Sequence, residues 1–163
     1  MMNSHIPDLK RDLKIGKRQE NNIHSILEDK FNMKLINTDE FNKYCNFDFV
    51  SKDKKIWIEH KYRGRYKSNM NTYFCDLVKY KKFKTMKEKN KDIRCFVVWT
   101  WANCRKIWEM TDEETDENDE NYFYIENQFR DRGRGFPVHT EVMNVFNDKT
   151  TRLDEFVFNQ IQE

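Results

Sequence analysis

The fold is decided by the stretch FDFVSKDKKIWIEHK, which occupies residues 47–61. Two apolar segments, 47–50 and 56–62, flank the short polar run 51–55. Apolar runs of this length, separated by a few polar residues, are typical of two adjacent antiparallel strands and their turn. The stretch therefore predicts a β-hairpin, and the rest of the chain is interpreted around it.

Charged side chains lie inside both predicted strands. Asp48 stands between two phenylalanines in the first strand, and Glu59 and Lys61 stand two apart in the second. Because side chains alternate between the two faces of a strand, Glu59 and Lys61 share one face while His60 lies on the other. Unpaired charges are costly in a buried strand, so the pattern indicates a site for a divalent metal and an activated water. The alternative for Asp48 is a strand-edge residue that binds backbone.

A helix is predicted over residues 15–31, upstream of the hairpin. Ile23 and Leu27 recur at helical spacing, and Glu20 falls on the same apolar side. Acids are rarely buried unless they are paired or bind a metal, so Glu20 is a candidate site residue. The alternative is an acid near the helix start that interacts with the helix dipole or pairs with Lys17.

The combination of a helical acid, an acid in one strand and Glu-x-Lys in the next resembles the PD-(D/E)xK nuclease superfamily. Gly16 and Glu20, near the start of the predicted helix, look like those of the archaeal Holliday-junction-resolvase-type endonucleases. The resemblance covers residues 15–100. One departure is Phe47, which stands where the family's eponymous Pro often lies.

The resemblance implies an α/β fold with a restriction-endonuclease-like core, in which a mixed central β-sheet is flanked by helices. Length favours a single domain over residues 1–163. Within it we expect a core at about 15–110, an acidic loop at 111–121 and a C-terminal extension at 122–163.

The resemblance also implies the chemistry of a metal-dependent phosphodiesterase. Asp48, Glu59 and the backbone carbonyl of His60 would bind Mg²⁺ or Mn²⁺, since hard cations prefer oxygen ligands. Lys61 would position the attacking water or stabilise the developing charge, and Glu20 would hold a metal-bound water or a second metal. Such a metal acts as a Lewis acid and lowers the pKa of its water.

The charge distribution favours nucleic acid as the partner. Residues 1–91 hold 22 Lys and Arg against 12 Asp and Glu, a balance of +10, whereas residues 92–163 hold 8 against 16, a balance of −8. A basic half that contains the predicted site attracts polyanions, although lysines also simply solvate surfaces. The predicted phosphate contacts are seven basic residues in a loop, a helix and a Gly-rich segment: Arg63, Arg65, Lys67, Lys79, Lys82, Arg132 and Arg134.

The remaining elements are predicted from hydrophobic periodicity. The expected strands are 33–37, 93–100, 105–110, 122–125 and 138–146, and the expected helices are 73–89 and 154–162. The nearly continuous apolar run 93–100 predicts a central strand buried on both faces. Arg130, Arg132 and Arg134 alternate with polar residues and glycines and predict a cationic loop.

Several features narrow the location and class of the protein. The chain has no apolar run of membrane-spanning length, and its first 14 residues lack the apolar core of a signal peptide, so we expect an intracellular protein without a membrane partner. Four widely spaced cysteines predict reduced, packing side chains rather than a zinc site. Seven acids within 111–121 predict a solvated loop.

The function predicted from the sequence is a metal-dependent endonuclease, selective for junctions or nicked and branched DNA and acting in DNA repair or recombination. The resolvase resemblance implies a homodimer, because two symmetric strands are cut by two sites. Three alternatives stay open: a restriction-type sequence-specific endonuclease, a non-catalytic nucleic-acid-binding module on the same fold, and an interaction protein that uses its acidic loop.

Overall fold

A computed structural model describes residues 9–40, 47–64, 71–111, 123–131 and 137–159. For residues 123–131, 137–140 and several positions in the first half of the N-terminal helix, Glu20 among them, only the backbone is described. Of the predicted residues, Arg65, Lys67, Arg132 and Arg134 and nearly all of the acidic segment lie outside the described part.

The described residues form a mixed α/β fold with two α-helices, a mixed central sheet and a smaller second sheet. In chain order the elements are α1 (Leu9–Phe31), β1 (Leu35–Asn37), a 3₁₀ turn (Thr38–Glu40), β2 (Phe49–Ser51), β3 (Ile56–Tyr62), β4 (Thr72–Asp76), α2 (Leu77–Lys89), β5 (Arg94–Thr100), β6 (Arg105–Glu109), β7 (Phe123–Asp131), β8 (Pro137–Phe146), a second 3₁₀ turn (Asn147–Lys149) and β9 (Thr151–Arg152).

The central sheet has six strands in the order β1-β2-β3-β5-β6-β9. Strands β1, β2 and β3 are antiparallel neighbours, which confirms the predicted pairing of the two strands in the deciding stretch. The chain then crosses through β4 and α2 and returns as β5, parallel to β3, with Glu59 beside Val97 and Lys61 beside Trp99. A parallel return of this kind needs a long crossover, which α2 supplies.

The two faces of the central sheet carry separate hydrophobic clusters. On one face, α1 buries Ile23 and Leu27 against Ile58 of β3 and its neighbours. On the other, α2 and the three-stranded sheet β4-β8-β7 pack against Val97 and Trp99 of β5. All of β5 except its first residue is buried, so the prediction of a strand covered on both faces is confirmed.

The first helix begins earlier than predicted, at Leu9, so Gly16 lies inside it rather than at its opening. An interior glycine costs a helix only about 0.5–1 kcal/mol, which the packing of the second half of α1 offsets. Glu20 consequently lies eleven residues after the first helical residue. The helix dipole acts within the first turn, so an interaction of Glu20 with the dipole does not fit, whereas its alternative pairing with Lys17 involves side chains outside the described part.

The predicted helix over 73–89 is correct only from Leu77 onwards. Residues 72–76 form β4, with Tyr73 and Cys75 buried and paired to β8. Aromatic and thiol side chains at alternate positions suit a strand, but the partner strand lies more than 60 residues away in the sequence. Local periodicity could not reveal that pairing.

The predicted C-terminal helix over 154–162 is wrong for the residues described. After a turn at 153–155 the chain runs without helical structure through residue 159. Phe156 and Phe158 both pack on Phe31 of α1, with ring centroids 5.6 and 4.8 Å away. Side chains two apart do not share a face of a helix, so this packing requires extended backbone.

The predicted cationic loop is wrong at Arg130. This residue lies within β7, which is longer than the strand predicted at 122–125.

Candidate functional site

The predicted acid and lysine of β3 point to the face covered by α2 and are in contact. Lys61 Nζ lies 3.3 Å from Glu59 Oε1. The Glu59 side chain is 5% exposed and that of Lys61 is 16% exposed. Their strand is central in the sheet, so both charges are removed from bulk water and each depends on its neighbours for compensation.

Two further charged residues complete this group, and they come from the crossover between β3 and β5. Asp76, the last residue of β4, has its Oδ2 atom 3.6 Å from Lys61 Nζ. Lys79, in the first turn of α2, has its Nζ atom 3.2 Å from Glu59 Oε2. We call Glu59, Lys61, Asp76 and Lys79 the charged cluster. It contains two carboxylates and two ammonium groups and is formally neutral.

Asp76 occupies the N-cap position of α2 but does not cap it. Aspartate is among the preferred N-cap residues because its carboxylate accepts from the first free amides of a helix. Here the Asp76 side chain makes no capping hydrogen bond, and its carboxylate is directed to Lys61 instead. The residue is 8% exposed. The Asp76 carboxylate therefore pairs with Lys61 instead of capping the helix.

One oxygen of the cluster has no hydrogen-bond donor among the described residues. Glu59 Oε2 is buried, and although Lys79 Nζ lies within 3.2 Å, the contact does not have hydrogen-bond geometry. Buried carboxylate oxygens without a donor are costly and uncommon in folded proteins. This oxygen is therefore the atom of the described fold best suited to accept an additional cation or donor.

Asp48 lies just before β2 and binds the backbone of the neighbouring strand. Its Oδ2 atom accepts a hydrogen bond from the His60 amide at 2.7 Å, while its own amide donates to the Ile58 carbonyl. The carboxylate thus serves as acceptor where the ladder between β2 and β3 ends. The backbone-binding interpretation of Asp48 is correct, and the same contact fixes the carboxylate next to the residue that follows Glu59.

His60 is a buried, neutral hydrogen-bonding residue. Its Nε2 atom lies 2.8 Å from the Thr100 hydroxyl on β5. Burial, together with the positive charges of Lys61, Arg105 and Arg63, lowers the pKa of His60 to about 4. The imidazole lies on the face of β3 opposite Glu59 and Lys61 and bonds to Thr100, so the predicted metal role of His60 stays with its backbone carbonyl.

The three predicted phosphate contacts that the structure describes have different environments. Lys82 is exposed on α2, as a phosphate contact requires. Lys79 instead lies in the charged cluster with a side chain that is only 16% exposed. Arg63 is half-buried, since its guanidinium donates to the Phe74 carbonyl and covers the Phe74 ring at 4.1 Å. The lysine-rich helix is therefore not a uniform basic surface.

The donor types of the cluster suit a hard divalent cation, although no complete ligand group is assembled. Within the described ranges, no three or more His, Cys, Asp or Glu residues converge in the manner of a metal site. Glu59 and Asp76 contribute oxygens that share one lysine neighbour, and Glu59 Oε2 has no hydrogen-bond donor among the described residues. Carboxylate oxygens are the ligands that Mg²⁺ and Mn²⁺ prefer.

Sequence reasoning missed Asp76 and the inward position of Lys79. The signal for Asp76 was present: it is an acid directly after Tyr-Phe-Cys and directly before Leu-Val, within an apolar run. The mistaken helix over 73–89 concealed it. Glu20, by contrast, lies in a helix packed on the opposite face of the sheet, and its side chain is outside the described part.

No helix in the described ranges combines the length and apolar character that crossing a membrane requires. Comparison of the chain with protein-family models, with curated proteins and with solved structures finds no match.

Proposed function

We propose that this protein is a metal-dependent endonuclease of the PD-(D/E)xK type, with a restriction-endonuclease-like core. The observation that carries the proposal is the buried pair of Glu59 and Lys61 on central strand β3, in which one carboxylate oxygen has no described donor. A stable core has no need for such a pair, because apolar residues of similar size usually stabilise a fold as well or better.

The metal would be held by carboxylate oxygens of the chain. Glu59 and Asp76 are the buried acids of the cluster, and Asp48 is fixed by the His60 amide one residue away from Glu59. When bound, Mg²⁺ or Mn²⁺ supplies charge neutralisation and an acidified water. Glu20 has no part in this arrangement, because its helix packs on the opposite face of the sheet.

Lys61 would act directly on the reacting groups. Hydrolysis requires a water oxygen to attack phosphorus, one phosphorus–oxygen bond to break, and the leaving oxygen to gain a proton. An ammonium group held between Glu59 and Asp76 is fixed in place before substrate arrives, which lowers the cost of orientation. It can orient the water or stabilise the additional negative charge on the phosphoryl oxygens.

The proposed substrate is DNA recognised by its shape, at junctions, nicks or branches. The basic residues available for contact suit phosphates, which position a protein without reading sequence. A homodimer would cut the two strands of a junction symmetrically. An intracellular location is part of the same proposal, and a restriction-type enzyme with sequence-specific cutting is its nearest variant.

A second candidate is a nucleic-acid-binding module without catalysis. The observation that favours it is the neutrality of the charged cluster, in which two lysines already compensate two acids. In that case the cluster would join the central sheet to β4 and α2, and the basic half of the chain would supply the affinity.

Cleavage assays decide between the two candidates. Labelled junction, nicked, single-stranded and duplex DNA are incubated with the protein in Mg²⁺ or Mn²⁺, and then with chelator. We expect chelator-sensitive cutting that is lost in Glu59→Gln and retained in the control Glu88→Gln, since Glu88 is exposed on α2. Metal-independent cutting, or equal cutting by Glu59→Gln and its control, would contradict the proposed site.

Binding assays on the same substrates test the phosphate contacts separately. Neutralising the basic loop that follows β3 should weaken binding and flatten its dependence on salt, because fewer counterions are released. The substitutions are made together at Arg63, Arg65 and Lys67. Equal salt slopes for the triple variant and the parent would show that the loop does not contact phosphate. A DNA-binding protein without cutting on any substrate would establish the second candidate.

A further inference from the structure

The feature behind this inference is Lys79, whose ammonium group lies where an additional cation would bind. Its Nζ atom is 3.2 Å from Glu59 Oε2, the buried carboxylate oxygen that lacks a hydrogen-bond donor in the described part of the chain. The contact is electrostatic and poorly directed. Lys61, in comparison, lies near two carboxylates at 3.3 and 3.6 Å and is held from two sides.

We propose that Lys79 is a built-in placeholder for the divalent cation, and that metal binding at Glu59 displaces it to solvent. The inference rests on the proposed function, because it concerns the same site. Lysine carries a compact charge on a flexible four-carbon chain, which lets the ammonium move while the helix stays in place. The Lys79 side chain itself is 16% exposed, so part of it already borders solvent.

The exchange changes the charge of the site in the direction that a nuclease needs. With Lys79 in place, two acids and two lysines balance, and the site has no net attraction for a phosphodiester. Replacing one ammonium by a divalent cation gives the site a net charge of +1. This charge is equal in size and opposite in sign to that of a single phosphodiester. Lys79 thereby makes phosphate binding in the site depend on metal.

The test measures metal affinity and does not require cleavage. Mn²⁺ is titrated calorimetrically into the unmodified 163-residue protein, into Lys79→Met and Lys79→Gln, and into the control Lys81→Met, which changes an exposed lysine on the same helix. Removing a competing charge a few ångströms from the ligand should lower the Kd for Mn²⁺ by about tenfold or more in both Lys79 variants. The control should stay within about twofold of the parent, since exposed charges are screened.

Thermal unfolding supplies a second readout. Without metal, Lys79→Met leaves Glu59 short of one counter-charge and should lower Tm, and Mn²⁺ should raise Tm more in this variant than in the parent. Lys79→Gln retains a neutral donor for Glu59 and covers the case in which the Met variant does not fold. Variants that fold only with Mn²⁺ support the inference, whereas variants that fold in neither condition make Lys79 a structural residue and overturn it.

The outcomes separate this inference from the proposed function. Unchanged or weaker Mn²⁺ affinity in both Lys79 variants, or no Mn²⁺ binding by any form, overturns the placeholder role. If affinity rises as expected but no nucleic acid is cut, the placeholder role stands and the nuclease proposal fails.

Discussion

Replacing Lys61 by Met tests whether the charged cluster is a buried network or a set of weak surface pairs. The substitution keeps the length of the side chain and removes the ammonium that lies 3.3 Å from Glu59 and 3.6 Å from Asp76. At an effective dielectric constant of about 20, each contact corresponds to roughly 5 kcal/mol of Coulomb energy. Part of this is offset because the ammonium is no longer desolvated on folding, so we expect a net loss of about 3–5 kcal/mol in the free energy of unfolding.

Urea denaturation followed by tryptophan fluorescence measures this loss directly. Trp99, Trp101 and Trp108 are buried in the hydrophobic cluster on the same face of the sheet, so their emission reports on this region. The control Lys81→Met should change stability by less than about 0.5 kcal/mol, as exposed substitutions usually do.

A double variant tests whether the loss of stability comes from the interaction between Glu59 and Lys61. Lys61→Met takes one counter-charge from Glu59 and one from Asp76. Adding Glu59→Gln removes one of these two carboxylates, so the double variant should lose less stability than the sum of the two single losses. A loss below about 1 kcal/mol in Lys61→Met would refute the reasoning, because that is the range of solvent-exposed pairs. Strict additivity in the double variant would show that Glu59 and Lys61 do not interact.

Two further predictions follow from buried titratable groups. The pKa of His60 is about 4 in the folded protein and near 6.5 in the unfolded chain, so on acidification the unfolded chain takes up the proton first. The free energy of unfolding should therefore fall by about 3 kcal/mol as pH drops from about 6.5 to 4. Urea midpoints across this range should show the loss in the parent and in His24→Gln; a loss of the same size in His60→Gln would contradict the assignment. Burial raises the pKa of Cys75 to about 12 and that of Cys95 further, so thiol reagents mapped by mass spectrometry should label neither residue before unfolding. Cys104 is partly exposed and serves as the reference. If Cys75 in the folded protein were labelled as fast as Cys104, β4 would be opening to solvent and the prediction would be wrong.

The parts of the fold that sequence predicts well are those fixed by neighbours in the chain. The bounds of β3 follow from alternation and a short polar turn, and the turn at 51–55 is stabilised by its own side chains. The Ser51 hydroxyl donates to Asp53 Oδ1 at 2.6 Å, and the same oxygen accepts the Lys55 amide. These contacts lower the pKa of the Asp53 carboxyl, with the Ser51 bond as the largest cause. Asp53 is thus a turn residue, as its position predicts.

The parts that sequence does not reveal depend on pairing between distant segments. Strand β4 exists because it pairs with β8, which places Phe74 beside Asn144. The extended run at Phe156 and Phe158 exists because both rings pack on α1 from the other end of the chain. In each case a short apolar segment fits helix and strand patterns about equally well, and the distant partner decides between them.

The geometry of the candidate site depends on the same non-local strand. Phe74, at the middle of edge strand β4, has a carbonyl that accepts the Trp99 indole N–H at 2.8 Å and the Arg63 guanidinium at 3.0 Å. Both donors come from the central sheet or the residue directly after it, so they fix β4 across the face that carries Glu59 and Lys61. Asp76 lies two residues further along β4, on the same strand that these bonds hold. Asp76, the acid beside Lys61, is therefore positioned by the second sheet, which two hydrogen bonds to the Phe74 carbonyl hold against the central sheet.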